Sequence, residues 1–331
     1  NWRDFMDISV RWRQISEPND PVWWVDRLPE KRFQSGFGLQ TPLVNGQLKT
    51  IRYFPYYPLG LGILLESLLT QGFCFSARGE TIHLNNTQLD VLKTLIESVS
   101  DQSALSVAGD THLEPLYDAV GEDFYVSTPC YSVKPVPDTE SATEFVEGTR
   151  LTLQRHYPDG FEFTIRTPGT PTRWQFFDDE LSDRMLSLKI HVGLVWECTH
   201  TRNIERLVDL RINVVRCALE YFYMWVNLAP LSRGTAVCGY TILLAAVLSI
   251  DCKFECGLPV DKQLDWEAIF TPVCEDFVNR VVSWFPVVSI RTDPFDAIVV
   301  EGVGVGVALE LWVDNVEVEK HCNTYRNMIR T

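Results

Sequence analysis

No segment of this 331-residue sequence stays apolar for long enough to cross a bilayer. The longest run, Ala236 to Ile250, is interrupted by Gly239 and Thr241. It falls short of the roughly 20 residues a spanning helix needs and reads as a buried core helix. Basic blocks are missing too. Lys and Arg number 29 against 44 Asp and Glu, so the net charge is 29 − 44 = −15, and the acidic residues are scattered rather than gathered in a tail. Such a surface has no positive field to concentrate phosphate, which argues against nucleic acid or an anionic membrane as the main partner. The nine cysteines, at 74, 130, 198, 217, 238, 252, 256, 274 and 322, form no metal-ligand array. An odd count in a chain of this length sets no disulfide framework, and most are expected as buried thiols. There is no low-complexity linker and no repeat of solenoid length. Gly302, Gly304 and Gly306 lack the following helix that a dinucleotide fingerprint requires. Nothing calls for a cofactor or a metal. The chain opens at Asn1 without methionine or a visible signal peptide, so it is expected to be a piece of something longer.

What is present suffices for a core: 46% of residues are hydrophobic and 12% aromatic. Apolar spacing predicts helices over the opening residues up to Pro18, over Leu59 to Thr70, over Thr87 to Ser98 with Asn86 as the cap, and over Leu113 to Val120. Further helices are expected from Gln175 to Cys198, from Asn203 to Asn227, from Thr235 to Ile250 and from Leu264 to Trp284. Residues 20–58 are dense in proline, glycine and aromatics, with an Asn-Gly turn at 45–46 between two short extended pieces. The clearest local signal is "TRLTLQRHYPDGFEFTIRTP". Leu151 and Leu153 alternate with polar residues, a Pro-Asp-Gly turn follows, and Phe161, Phe163 and Ile165 alternate again, which predicts a β-hairpin. After Trp284, strands are expected around a turn at 292–294. The architecture these elements imply is one α+β globular domain over residues 1–331, a helical core with peripheral β-hairpins.

The chemistry-bearing candidates begin with "NLAPLSRGTA", residues 227–236. The first N–H groups of a helix have no partner within it and, with the helix dipole, favour an anion. Ser232, Arg233, Gly234 and Thr235 stand at such a start, with Arg233 offering a forked donor for phosphate or carboxylate. The plainer reading is that Arg233 pairs with an internal carboxylate, Thr235 caps the helix and Gly234 permits the turn. Arg150, Arg166 and Arg173 lie at or beside the hairpin and either add donors to the same pocket or form a solvated sheet face. Cys198 and His200 read better as a helix end than as a metal or nucleophile couple, and Asp178-Asp179-Glu180 as the start of a helix. Trp23, Trp24, Tyr53, Phe54, Tyr56 and Tyr57 frame a groove or fill a core.

Four stretches, "DPVWWVDRLPEKRFQSGFGLQTPLVNGQLKTIRYFPYYP", "EFVEGTRLTLQ", "FTIRTPGTPTRW" and "NLAPLSRGTAVCGY", carry a resemblance. They resemble the region that follows the repeats in the family of the animal tetratricopeptide repeat protein thirteen and the plant suppressor of immune-receptor signalling. The resemblance implies a non-catalytic regulatory or interaction domain with protein partners, its tetratricopeptide repeats upstream of this chain. Together with the sequon Asn85-Asn86-Thr87, it tilts the expected compartment toward the secretory-pathway lumen rather than the nucleus and cytosol. The helix, Pro-Leu, Ser-Arg-Gly, helix order also resembles Fic-type (Fido-fold) transferases, which implies a phosphate-bearing nucleotide or nucleotide-sugar donor. Against that, Ala229 stands where the motif carries its histidine, no Asp or Glu lies between Pro230 and Thr235, and the arginine precedes the glycine. A transferase would need its base from elsewhere, with Glu147, Asp178 and His191 as candidates.

Overall fold

The computed structural model describes residues 2–16, 18–19, 37–44, 47–48, 57–99, 117–118, 120–135, 143–156, 160–167, 169–201, 204–232, 234–255, 257–260 and 262–289. In chain order the helices are α1 (Trp2–Ser16), α2 (Tyr57–Gln71), α3 (Asn86–Val99), α4 (Pro171–Thr201), α5 (Ile204–Leu228), α6 (Thr235–Leu248), α7 (Leu264–Ile269) and α8 (Cys274–Val281). The strands are β1 (Phe37–Val44), β2 (Gln47–Leu48), β3 (Phe73–Ser76), β4 (Thr81–His83), β5 (Phe124–Pro135), β6 (Thr143–His156), β7 (Gly160–Thr167), β8 (Cys252–Phe254) and β9 (Val287–Ser289). The class is α+β, as expected. Two compact units divide the chain, residues 28–173 and residues 1–27 with 174–330. Among the described residues no helix is long and apolar enough to cross a membrane.

The unit of residues 28–173 is built on a seven-stranded antiparallel sheet in the order β2-β1-β7-β6-β5-β3-β4. The expected hairpin is β6–β7, with Leu151 opposite Ile165, Thr152 opposite Thr164 and Arg150 opposite Arg166. Alternation puts Leu151, Leu153 and Ile165 on a buried face with Phe124 and Val126 of β5, and leaves Arg150, Thr152 and Arg166 half-exposed on the other. The hairpin is the middle of the sheet rather than a pair standing alone. Its neighbour β5 carries two residues, Pro129 and Pro135, that a strand disfavours. Pro129 sits where the β5–β6 register shifts, and β3 pairs β5 only at Phe124 and Tyr125, so both prolines avoid a full ladder. β1 and β2 pair with Val44 opposite Gln47, while the Asn45-Gly46 turn between them lies outside the described residues.

Helix α2 lies against β3 and β5 and contributes Leu61, Leu64, Leu65 and Leu68 to the core. Helix α3 is capped by Asn85, not Asn86. The Gln88 N–H donates to Asn85 Oδ1 at 3.0 Å and the Asn85 N–H to Gln88 Oε1 at 2.6 Å, a reciprocal capping box with Asn86 already inside the helix.

In the other unit, α5 is the axle. It packs against α6, α7 and α8, and residues 221–230 are buried without exception. Leu207, Leu210, Val214, Ala218 and Phe222 form the expected apolar stripe. Helix α4 begins at Pro171, earlier than apolar spacing suggested: Pro171 occupies the first helical position and Thr170 Oγ1 accepts the Arg173 N–H at 3.4 Å. The single helix expected over 264–284 is instead α7, a break and α8. Pro272 has no N–H for the helix ladder, and the freed carbonyls find donors on α5. Tyr223 Oη donates to Thr271 and Pro272 carbonyls at 2.8 and 2.7 Å, and Asn227 Nδ2 to that of Ala268 at 3.2 Å. Strand β8, absent from the sequence reading, pairs antiparallel with β9. The glycine series at 302–306 lies outside the described residues.

Candidate functional site

The α5–α6 loop is built from its two helix ends. Ala229 takes a left-handed conformation (φ 50°) and Pro230 follows, which stops α5. Gly234 precedes α6 at φ 75°, a backbone position that disfavours any residue with a Cβ. Thr235 does not cap the helix. Its hydroxyl donates to the Leu231 carbonyl at 3.2 Å, and its own carbonyl accepts Trp225 Nε1 at 2.7 Å. Ser232 is half-buried, and Arg233 lies outside the described residues. A residue the sequence did not point to, Arg13 of α1, reaches this loop: a Cβ on Gly234 would stand 2.9 Å from Arg13 Nε. Arg13 is 7% exposed, and Ser9, one turn earlier, is hydrogen-bonded to the Cys238 thiol. Burial raises that thiol to about 11, with Ser9 and Arg13 pulling the other way.

The hairpin arginines belong to the unit of residues 28–173 and the loop to the other. Within that unit Arg150 and Arg166 come together as direct cross-strand partners. Arg173 does not join their strands. It lies in the first turn of α4 and is 1% exposed. Arg150 is held by Tyr125, its guanidinium carbon 5.0 Å from the ring centroid. Tyr125 in turn stacks on Phe75 (5.2 Å, 21°), Phe75 meets Phe73 edge to face (5.6 Å, 86°), and Phe73 lies tilted against His83 at 6.1 Å. Arg166 forms no hydrogen bond or ion pair among the described residues. On its face of β7, two residues earlier, Thr164 is 4% exposed and its hydroxyl has no partner among the described residues. Like charges directly opposite on neighbouring strands destabilise a sheet, and a buried hydroxyl without a partner costs more.

The remaining candidates resolve into local contacts. Asp178 lies two turns inside α4, where Oδ1 accepts Trp2 Nε1 at 2.8 Å and Oδ2 accepts Arg3 at 3.0 Å; the helix starts earlier than Asp178-Asp179-Glu180. Glu180 is buried and paired with Arg184, which also reaches Glu220 at 3.4 Å. His191 Nδ1 faces the Ser187 carbonyl at 2.9 Å and the Cys217 sulfur at 3.5 Å. A carbonyl only accepts, so Nδ1 carries the proton. Burial above all holds the Cys217 thiol high, which opposes thiolate chemistry at this couple. His200 bonds the Trp196 carbonyl at 2.7 Å in the last turn of α4, and Cys198 is buried, the helix-end arrangement expected. Glu147 stands opposite Pro129 in β6. The groove aromatics from Trp23 to Phe54 and Tyr56 lie outside the described residues, and nothing is described of the Tyr57 side chain. Among the described residues no group of three His, Cys, Asp or Glu side chains is placed to hold a metal.

No protein-family model matches the chain, and no solved structure does. Two full-length proteins are similar over most of it. Suppressor of RPS4-RLD 1 of Arabidopsis thaliana is 36% identical over 295 residues, 88% of this chain and 25% of that protein. Tetratricopeptide repeat protein 13 of Homo sapiens is 25% identical over 291 residues, 87% of this chain and 31% of that protein. The chain thus spans about a quarter to a third of the length of these relatives. The alignments run through both units, so the chain is similar along most of its length to one part of Suppressor of RPS4-RLD 1 and of Tetratricopeptide repeat protein 13.

Proposed function

We propose that this chain is a non-catalytic regulatory or protein-interaction domain that keeps an anion-binding site, held on the sheet by Arg150 and Arg166. The observation that carries the reading is the pair itself: two guanidinium groups directly opposite on β6 and β7, one pinned by Tyr125 and the other without an internal carboxylate among the described residues. Charge-assisted bonds to guanidinium are the strong ones, so an oxyanion is the ligand class that Arg166 suits. The name of the human relative, a tetratricopeptide repeat protein, supports an interaction role. The loop of Ser232, Gly234 and Thr235 lends the anion reading less, because Arg13 packs against Gly234 and the Thr235 hydroxyl is bonded to Leu231. No observation favours the transferase alternative. Of its candidate bases, Asp178 is engaged by Trp2 and Arg3 and His191 by Ser187 and Cys217.

A thermal-shift titration with inorganic phosphate tests this. The melting temperature of the wild type is expected to rise with phosphate, and Arg166→Gln to abolish the rise while Thr235→Val keeps it. A rise that survives Arg166→Gln and disappears in Thr235→Val places the anion at the loop and overturns the reading.

A further inference from the structure

We propose that the outward face of α1 seats a helix of the tetratricopeptide repeats expected upstream of this chain, so that α1 closes the end of the repeat array. This goes beyond the interaction role above and does not rest on the anion site. The inner face of α1 is engaged within its own unit. Trp2 is buried and donates Nε1 to Asp178 at 2.8 Å, Arg13 is buried, and Ser9 is hydrogen-bonded to Cys238. On the outer face Ile8 is 64% exposed, Trp12 38% and Ile15 80%. A spacing of i, i+4 and i+7 sets the three in one stripe along the helix, the pattern that packs on a second helix.

Single exposed apolar side chains are ordinary, whereas a contiguous stripe of them calls for a cover. Eight large hydrophobic residues are exposed among the described residues, and three of them fall on this 15-residue helix. Helix α4 also has three, Leu186, Ile190 and Trp196, but spread over 31 residues, and Trp196 Nε1 already donates to the Ser249 carbonyl at 3.0 Å. The stripe on α1 is the denser of the two.

Position and charge select the occupant. Helix α1 starts at Trp2, so a segment joined to Asn1 is tethered at one end of the stripe, where a short link holds it at an effective concentration on the order of millimolar. The two relatives extend well beyond the aligned region, which is 25% and 31% of their lengths. Helical repeats each bury a face on the next, and the last of an array needs a cap that gives its apolar face a partner. Helix α1 has the form of one, with a stripe for the repeat on one side and contacts to its own unit on the other. Arg11 is exposed beside the stripe and forms no hydrogen bond or ion pair among the described residues, so a carboxylate on the docking helix is expected opposite it. The same arginine counts against a second copy: an antiparallel self-pair centred between Ile8 and Ile15 brings the two Arg11 side chains together.

Labelling and cross-linking at Ile15→Cys test this, in the natural full-length protein and in the 331-residue chain. Maleimide labelling of position 15, read by peptide mass spectrometry, is expected to be fast in the 331-residue chain and about tenfold slower or more in the full-length protein. A photoreactive maleimide at the same position is expected to cross-link to a helix of the repeats. Ile8→Asp combined with Ile15→Asp is expected to undo the docking, so that trypsin cuts the full-length protein faster just before α1, while the unfolding transition of the 331-residue chain stays unchanged. Equal labelling rates in the two proteins overturn the proposal, as do cross-links to any other segment. Slow labelling in the 331-residue chain assigns the face to a second copy if sedimentation shows dimers, and to the chain's own residues if it does not; either result overturns the proposal. A large loss of stability in the doubly substituted 331-residue chain marks the stripe as part of its core and overturns it as well.

Discussion

At the scale of single residues, the buried polar groups are where sequence and stability meet. Glu267 of α7 is 4% exposed and accepts Lys262 Nζ at 3.3 Å and Arg280 Nη1 at 3.4 Å; Arg280 also donates to Thr271 Oγ1 at 3.2 Å. Arg280→Ala removes one of the cationic partners of that buried carboxylate and is expected to cost about 1–3 kcal/mol, read by urea unfolding; a change within error of zero means the bond is not formed in solution. The buried thiols set a pH limit. Burial, with Glu122 adding to it, raises Cys74 from 9.0 to about 12, and burial raises Cys238 from 9.0 to about 11. Between those values the unfolded chain has lost thiol protons that the folded chain retains, so stability is full below pH 9 and falls as pH climbs toward 11 and 12. Native protein at pH 8 is expected to leave Cys74 and Cys238 unlabelled by iodoacetamide, with both reacting once it is unfolded. Rapid native labelling of either shows that its surroundings open.

At the scale of elements, α5 and α6 approach closely because Gly239 has no side chain. A Cβ there would stand 2.8 Å from Trp225 Cδ1 and 3.0 Å from Phe222 Cδ2, both core rings. Gly239→Ala is therefore expected to lose about 1–3 kcal/mol despite the better helix propensity of alanine. A gain in melting temperature contradicts this packing. What could be read from the sequence follows the range of the forces involved. The β6–β7 hairpin was legible because alternation and turn chemistry lie within one stretch, and the α5 stripe because its period repeats five times from Ile204 to Phe222 in the sequence. Asn85 and Asn86 are both good caps, and only Gln88 three residues on distinguishes them, a cue present in the sequence but passed over. Apolar spacing through 264–284 outweighed Pro272, whose break depends on Tyr223 and Asn227 of a distant helix. The approach of Arg13 to Gly234 joins positions more than 200 residues apart, and no local pattern announces it. The Arg150–Arg166 pair was half legible: the register put the two opposite each other, but Tyr125, which pins one of them, sits on the strand whose prolines hid it.

At the scale of the whole chain, two arginines facing each other stand out against a net charge of −15 for the full sequence. Arg166→Gln is expected to leave stability unchanged or raise it by about 0.2–1 kcal/mol while removing the response to phosphate; a large loss of stability marks Arg166 as a structural residue instead. The most direct measurement of where the anion sits is hydrogen–deuterium exchange of the full chain with and without saturating inorganic phosphate. Slowed exchange confined to peptides covering Arg150 to Thr152 and Thr164 to Arg166, with residues 229–240 unchanged, is the expected result. Slowing at 229–240 with the β6–β7 hairpin unaffected contradicts a site on the sheet.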